Sequence, residues 1–425
     1  MKSNGTNAPS GPSQKLVFVN RYFYPDHSAT SQMLTDLAFG LSKAGHHDVH
    51  IVTSRQRYDD PLANLPAKET VDQIRIHRVW TSTFGRQNLL GRAMDYLSFY
   101  LAAFVELLKL TDAQTILIAK TDPPLISVVA AVAAKIKRAT LINWIQDLFP
   151  EVASALGVRL AKGPLYTVLK ALRNRSLHQA GINIVIGEHM QQRLRAEGIA
   201  EQKIAVIHNW TDDLAIRPVP NESNPLRNEW GLQGKFVVGY SGNLGRGHEF
   251  DTLLEAATAL KDKPDIAFLF IGGGAGRIQL EHEARSRGLA NIQFRPYQPR
   301  ERLAESLSVA DVHLVSLRPQ LEGLIVPSKF YGIAAVARPV ILIGDGNGQL
   351  GGMIQSGACG FAVAEGDHQQ LTTHIRQIKD DPALAEKMGN NALALLRDKY
   401  TQALALAQWQ RVLGDTAPNP TATTR

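Results

Sequence analysis

Short apolar runs alternate along the chain with longer stretches in which apolar residues recur every three or four positions. The first pattern suits buried strands and the second amphipathic helices. KLVFVN (15–20) is followed by a helix from about Ser31 to Ala44, then by VHIVTS (49–54) and IRIHRVW (74–80). A long helix from about Leu89 to Leu110 precedes TILIAK (115–120). A helix from about Leu125 to Arg138 precedes TLINWI (140–145), and a helix near 164–178 precedes INIVIG (182–187). This alternation predicts a parallel sheet with helices on both faces.

The order then restarts. KFVVGYSG (235–242), IAFLFIGGG (266–274), NIQFRPY (291–297) and VHLVSL (312–317) are separated by helices at 249–260, 277–287 and 300–308. A helix from Phe330 to Ala337, stopped by Arg338-Pro339, leads to VILIGD (340–345) and further helices to about Val412. The expected fold class is α/β, with two doubly wound parallel sheets joined near IHNWTDDLAIRPVPNES. Their carboxyl edges would face a cleft, where open sheets bind ligands. A chain of 425 residues also exceeds one ordinary core.

Composition narrows the class. Apolar residues make up 44% and charged residues 20%, as in soluble globular proteins. The single cysteine, Cys359, excludes an internal disulfide framework and a multi-cysteine zinc site, and it fits a reducing cytosol. The polar N-terminal stretch lacks the apolar core of a signal peptide and reads, like APNPTATTR at the other end, as a disordered tail. No uncharged apolar run reaches the ~18 residues of a membrane span. Residues 1–205 carry 24 Lys/Arg against 16 Asp/Glu, whereas 206–425 carry 22 against 23. A basic first half points to an anionic partner, either a phosphorylated substrate or an acidic membrane surface. Nucleic acid is disfavoured, because no nucleic-acid motif accompanies the charge.

Candidate chemistry gathers at the strand-to-helix turns. EGLIVPSKFYGI places Pro327, Ser328 and Lys329 at a helix start, where free amides, a hydroxyl and an ammonium suit a phosphate. An ordinary proline-started helix explains the same residues, and the segment alone leaves both open. Ser28-Ala29-Thr30 opens another helix after the first strand, with capping as the plain alternative. In WIQDLFPE, Asp147 suits contact with a sugar hydroxyl, while Glu151 reads as structural. GYSGNLGRGHEF brings Arg246 and His248 into one glycine-rich turn, two donors suited to phosphate oxygens. Gly272 and Gly273 allow close approach of a nucleotide, and Tyr297 is placed to flank a base. No Asp-x-Asp pair stands where a metal-bridged diphosphate needs one, so a metal-independent site is expected.

Together these turns resemble the retaining glycosyltransferases of family 4, over essentially the whole chain between the tails. The motifs that carry the likeness are FYPDHSATSQ, TDPPL (121–125), QDLFPE (146–151), HNW (208–210), GNLGR (242–246) and VPSKFYGI (326–333). They are most similar to the bacterial exopolysaccharide and O-antigen branch that includes colanic acid and N-acetylfucosamine transferases. The resemblance implies the GT-B architecture of two Rossmann-like domains. An acceptor domain would span 15–210, a linker 211–234 and a nucleotide-sugar domain 235–395. A helix at 396–414 would cross back to the first domain, with tails at 1–14 and 415–425.

Many members carry a Glu-x7-Glu pair; here Glu322 serves for the first and Gly332 replaces the second. Asn243 and His248 occupy the places of the usual phosphate-clamp Arg and Lys, with Arg246 and Lys329 as substitute cations. Gln146 replaces a frequent histidine, leaving Asp147 as the polar group on the acceptor side. A UDP- or GDP-sugar donor would then lie against Ala29, Thr30, Asn243, His248, Gly272, Gly273, Tyr297, Val326 and Ser328, with no cofactor. Lys329 and Arg246 would stabilise the leaving diphosphate, Glu322 would hold the donor sugar, and Asp147 would meet the acceptor.

The implied acceptor is a polyprenyl-diphosphate saccharide, so the chain is expected in the cytoplasm, peripheral on the inner membrane. Segments 88–110 and 161–175 are the docking candidates, with a buried core helix as the alternative for the first. A nucleotide-sugar 2-epimerase of the same architecture and a non-catalytic sugar-nucleotide-binding subunit are the rival functions.

Overall fold

The computed structural model describes residues 13–26, 28–85, 89–158 and 163–416. Apart from residues 13–14 and 415–416, the expected tails lie outside that range.

The N-terminal sheet contains β1 (Gln14–Val19), β2 (His47–Ser54), β3 (Lys68–Val71) and β4 (Ile74–Val79). It continues with β5 (Ile116–Lys120), β6 (Thr140–Ile145), β7 (Ile182–Val185) and β8 (Ile204–Val206). Their order is β3-β4-β2-β1-β5-β6-β7-β8, parallel except for β3 against β4. The helices of this half are α1 (Ala29–Lys43), α2 (Leu89–Leu110), α3 (Ile126–Lys137), α4 (Glu151–Ala155), α5 (Gly163–Gln179) and α6 (Glu188–Ala196).

The second sheet contains β9 (Phe236–Ser241), β10 (Ile266–Ile271), β11 (Ile292–Arg295), β12 (Val312–Ser316), β13 (Val340–Ile343) and β14 (Gly360–Val363). It is parallel throughout, in the order β11-β10-β9-β12-β13-β14. Its helices are α7 (Pro225–Glu229), α8 (Asp251–Ala259), α9 (Arg277–Ser286), α10 (Leu303–Ser308), α11 (Lys329–Ala335) and α12 (Gln349–Ser356). They are followed by α13 (His368–Asp380), α14 (Pro382–Lys399) and α15 (Gln402–Thr416). The strand order reverses between β1 and β5 in one half and between β9 and β12 in the other, the two crevices where such sheets place ligands.

Strand residues alternate between two apolar layers. Leu16, Phe18, Ile118 and Trp144 pack toward α1 and α15, whereas Val17, Val19, Leu117 and Ala119 pack toward α2 and α3. Burial on both faces explains why these strands read as continuous apolar runs.

Three differences from the sequence reading have physical causes. Strand β3 has the polar sequence KETV and only partial burial at the sheet edge, so it carries no apolar signal. Strand β8, with three residues, is too short for one. The single crossing helix expected at 396–414 is two helices broken at Tyr400-Thr401. Leu396 belongs to the C-terminal core, and only α15 crosses, burying Ala405, Trp409 and Leu413 against the first half. Trp409 meets the Trp144 ring edge-on at 4.8 Å, and Trp210 stacks on Trp144 at 5.9 Å.

Candidate active site

The carboxyl edges of the two sheets touch. Leu148 N–H donates to the Leu324 carbonyl at 2.9 Å, and Asp147 pairs with Ile325 as an isolated antiparallel bridge. The QDLFPE turn of the first half thus lies beside the EGLIVPSK segment of the second. Two stretches nearly 180 residues apart in sequence are brought together there.

Lys329 sits at the start of α11, beside the turn that follows β9. Its Nζ donates to the Tyr240 hydroxyl at 2.5 Å and lies 3.8 Å from that ring's centroid. No carboxylate pairs with it among the described residues, and burial pushes its pKa down to about 7. A cation on an aromatic face is favourable, but it leaves the charge without a counter-ion. The turn itself requires glycine. Gly242 and Gly272 have φ of 124° and 140°, and a Cβ on Gly272 would lie 2.1 Å from the Gly242 carbonyl oxygen. Asn243 and Arg246 are exposed on this turn, and Arg246 makes no ion pair among the described residues. The Tyr297 ring covers Gly273, 3.3 Å from where a Cβ would stand.

His248 departs from the expectation. Its Nδ1 donates to the Ser316 carbonyl at 2.6 Å, so in the neutral ring only Nε2 is left, as an acceptor. Burial, with the Lys329 charge nearby, lowers its pKa to about 3 and outweighs the bond to Ser316. A neutral imidazole with its one N–H engaged is no phosphate donor. His248 instead fastens the turn to β12, beside the bond from Glu249 N–H to Ser316 Oγ at 2.7 Å.

Glu322 also differs from the open sugar-binding group expected. Its Oε1 accepts from Gln349 N–H at 2.7 Å and from His189 Nδ1 at 3.0 Å. Arg193 donates through Nε to the Glu322 carbonyl at 3.1 Å. Its carboxylate therefore bridges α6 of the first half and the start of α12 of the second. Gln349 extends the seam, donating from Nε2 to Glu188 at 2.6 Å and accepting from His189 N–H at 3.1 Å.

Asp147 faces inward. Its Oδ1 is buried without a partner, and burial together with the Asp122 charge pushes its pKa up to about 7. With Asn143 and Arg173 it lines a cavity of about 30 Å³, and each of the three carries an unpartnered buried polar atom. Glu151 is structural, accepting from Arg173 Nη2 at 2.6 Å.

Val326 is buried, and Ser328 caps α11 without a side-chain bond to it. Ala29 and Thr30 open α1 on the opposite half, where Ser28 likewise makes no side-chain cap bond. Gly332 lies against α10, where a Cβ would stand 3.1 Å from Leu307 Cδ1, so glycine here serves close packing.

The sequence reading missed Tyr240, His189, Arg193, Gln349 and Lys120. The turn after INIVI, Gly187-Glu188-His189, lies at the same carboxyl edge as the others and could have been flagged by that rule. Lys120 is fully buried 3.5 Å from the Trp144 ring with no hydrogen-bond partner, and burial holds its pKa well below the lysine range. An apolar-looking strand gave no sign of it.

Two facing Rossmann-like sheets with a glycine-rich turn at their touching carboxyl edges make up the two-domain architecture of a GT-B glycosyltransferase. Comparisons agree. The family described as "Glycosyl transferases group 1" matches residues 223–394, and the "Glycosyl transferase 4-like domain" matches 29–210. The chain belongs to the family 4 glycosyltransferases, with the GT-B fold. WcaI of Escherichia coli K12, provisionally named a colanic acid biosynthesis glycosyl transferase, is 30% identical over 52% of this chain and 56% of its own length. The match therefore spans little more than half of that relative. WbjE of Pseudomonas aeruginosa, provisionally named a glycosyltransferase, is 25% identical over 76% of this chain and 80% of its own. The HepE structure from Anabaena, solved with UDP and glucose, superposes with a TM-score of 0.71 at 18% identity, covering 95% of this chain and all of HepE.

Proposed function

We propose that the protein moves a sugar, with retention of anomeric configuration, from a UDP- or GDP-sugar to a polyprenyl-diphosphate-linked saccharide in bacterial exopolysaccharide or lipopolysaccharide synthesis. The observation that carries this reading is Lys329, an ammonium group held on a tyrosine face beside a glycine turn, with no carboxylate paired to it among the described residues. A diphosphate supplies the missing charge, and Arg246 is free to reach its other oxygens. UDP in the HepE site and the pathway name of WcaI support the donor and product classes.

In the transfer, the acceptor hydroxyl oxygen bonds to the anomeric carbon as the carbon–phosphate oxygen bond breaks. The hydroxyl proton passes to a leaving phosphate oxygen on the same face, so no carboxylate of the chain forms a covalent intermediate. Lys329 and Arg246 stabilise the charge that builds on the diphosphate. Glu322 offers Oε2, which carries no hydrogen bond among the described residues, to a donor-sugar hydroxyl.

Calorimetric titration with UDP and GDP tests the site. Lys329→Met should weaken the preferred nucleotide roughly 30-fold or more, the worth of a charge-assisted contact of about 2 kcal/mol. Near pH 8 the free lysine is mostly neutral, whereas the phosphate-bound one is charged. Wild type should therefore take up close to one proton on binding, read from buffers of different ionisation enthalpy, and Lys329→Met none. Equal affinity in the variant would remove Lys329 from the site, and a trapped glycosyl–carboxylate adduct would overturn the mechanism.

A further inference from the structure

The Tyr240 hydroxyl stands between the two elements that carry Lys329 and Arg246. Its oxygen accepts from Lys329 Nζ at 2.5 Å, and its own proton goes to the Asn243 carbonyl at 3.1 Å. A hydroxyl has a single proton to give, so with that proton on Asn243 the oxygen serves Lys329 only as an acceptor. One side chain thus joins the start of α11 to the glycine turn that bears Arg246. Burial holds the phenol well above the ordinary tyrosine range, so it stays a neutral hydroxyl near neutral pH.

The ring is held as firmly as the hydroxyl. Tyr240 is buried near the end of β9, with Phe250 edge-on at 5.3 Å, His248 edge-on at 5.9 Å and Phe270 tilted at 5.9 Å. Lys329 is confined from the turn as well: a Cβ on Gly242 would lie 3.3 Å from its Cε and 3.6 Å from its Nζ. A long lysine stem loses rotamer freedom when it settles on a ligand, and that loss weakens binding unless the protein has ordered the stem beforehand. Donors already in place where charge builds up are also the ones that act best on a leaving group.

We propose that the Tyr240 hydroxyl is a positioning group for the donor diphosphate: it fixes Lys329 against the glycine turn, so that Lys329 and Arg246 meet the phosphate oxygens together. This rests on the donor-site reading above. In that arrangement one N–H of the ammonium stays on Tyr240 and the other two are left for phosphate oxygens. The neighbours leave the titration of Lys329 undisturbed. His248 on the turn and His313 on β12 feel its charge, and burial lowers their pKa values to about 3 and about 4. Burial raises the Tyr331 phenol of α11 far above neutrality, and Arg246 stays charged throughout. Among these groups Lys329 alone changes charge between about pH 6 and 9.

Tyr240→Phe removes the hydroxyl and keeps the ring, so the packing on Phe250 and Phe270 remains. In calorimetric titration of the full chain with whichever of UDP and GDP it prefers, affinity should fall about tenfold. The pH at which wild type takes up half a proton on binding, about 7, should move down by about half a unit or more, because the free ammonium has lost an acceptor. Lys329→Met supplies the second background. There Tyr240→Phe should weaken the nucleotide less than about threefold, since the group it positions is gone. The full loss in both backgrounds, or a loss with the midpoint unmoved, assigns Tyr240 to packing alone and overturns the proposal. Wild-type affinity in Tyr240→Phe, with Lys329→Met weakened, overturns it too and leaves the donor site standing. Failure of the donor-site reading looks different: Lys329→Met itself then binds as wild type does.

Discussion

Two ionisable side chains, Lys329 and Asp147, sit on opposite edges of the cleft with pKa values displaced toward neutrality from opposite directions. The shared cause is burial without a partner of opposite charge, which disfavours whichever form is charged. For Asp147 the sign is simple to follow. Its folded pKa, about 7, lies above the unfolded value, so the native state binds the extra proton between about pH 4 and 7. That contribution is present below pH 4 and is lost as pH rises through 7. Asp147→Asn removes the charge while keeping the shape. It should raise thermal stability by roughly 2 kcal/mol at pH 8 and change little at pH 4. Melting curves at the two pH values check this, and an equal shift at both would show that the carboxylate is not strained by burial.

Among the elements, α15 links the two halves most directly. It leaves the second half at Tyr400-Thr401, where Thr401 bridges Thr211, and lays Ala405, Trp409 and Leu413 on the first sheet. Gly40 on α1 allows the approach, since a Cβ there would stand 3.1 Å from Leu406 Cδ2. Trp409→Ala would empty a fully buried site against Trp144 and should cost about 3–5 kcal/mol in urea unfolding. A loss under 1 kcal/mol would mean that α15 is not anchored as described. The short α11 acts differently. It contributes little surface of its own and places Lys329 beside Tyr240, with Phe330, Tyr331 and Ile333 fixing it in the core.

At the scale of the molecule, the halves are closed on one another by a polar seam and not by a shared apolar core alone. Glu322, His189, Gln349 and Glu188 form it on one side, and Arg300 with Asp36 at 2.7 Å forms a second contact. Polar contacts suit a joint that opens, because water replaces them at small net cost. His189→Ala/Gln349→Ala removes three hydrogen bonds across the seam, about 3 kcal/mol at about 1 kcal/mol each, and should shift an open–closed balance roughly 150-fold toward open. Small-angle scattering of the ligand-free chain checks it. An unchanged radius of gyration would assign the closure to the apolar contacts of Leu321, Leu324 and Val326 instead.

The order and type of the main elements were determined by the sequence itself, because buried parallel strands and amphipathic helices carry their burial in their spacing. The glycine turn at 242–247 and the Pro-Ser-Lys start at 327–329 were legible for a similar reason: local backbone demands and local chemistry leave a local pattern. Tertiary structure alone decided which of these groups are free. His248 is a donor in the sequence and is neutral and engaged in the fold, because Ser316 of β12 and Lys329 of α11 reach it from distant parts of the chain. Glu322 is an available carboxylate in the sequence and a seam residue in the fold, because His189 lies opposite, 133 positions away. Lys329 was recognised as a cation, but its missing counter-charge and its tyrosine seat became visible only when β9 stood beside α11. Partnership depends on what else is near in space, and no spacing along one chain encodes that.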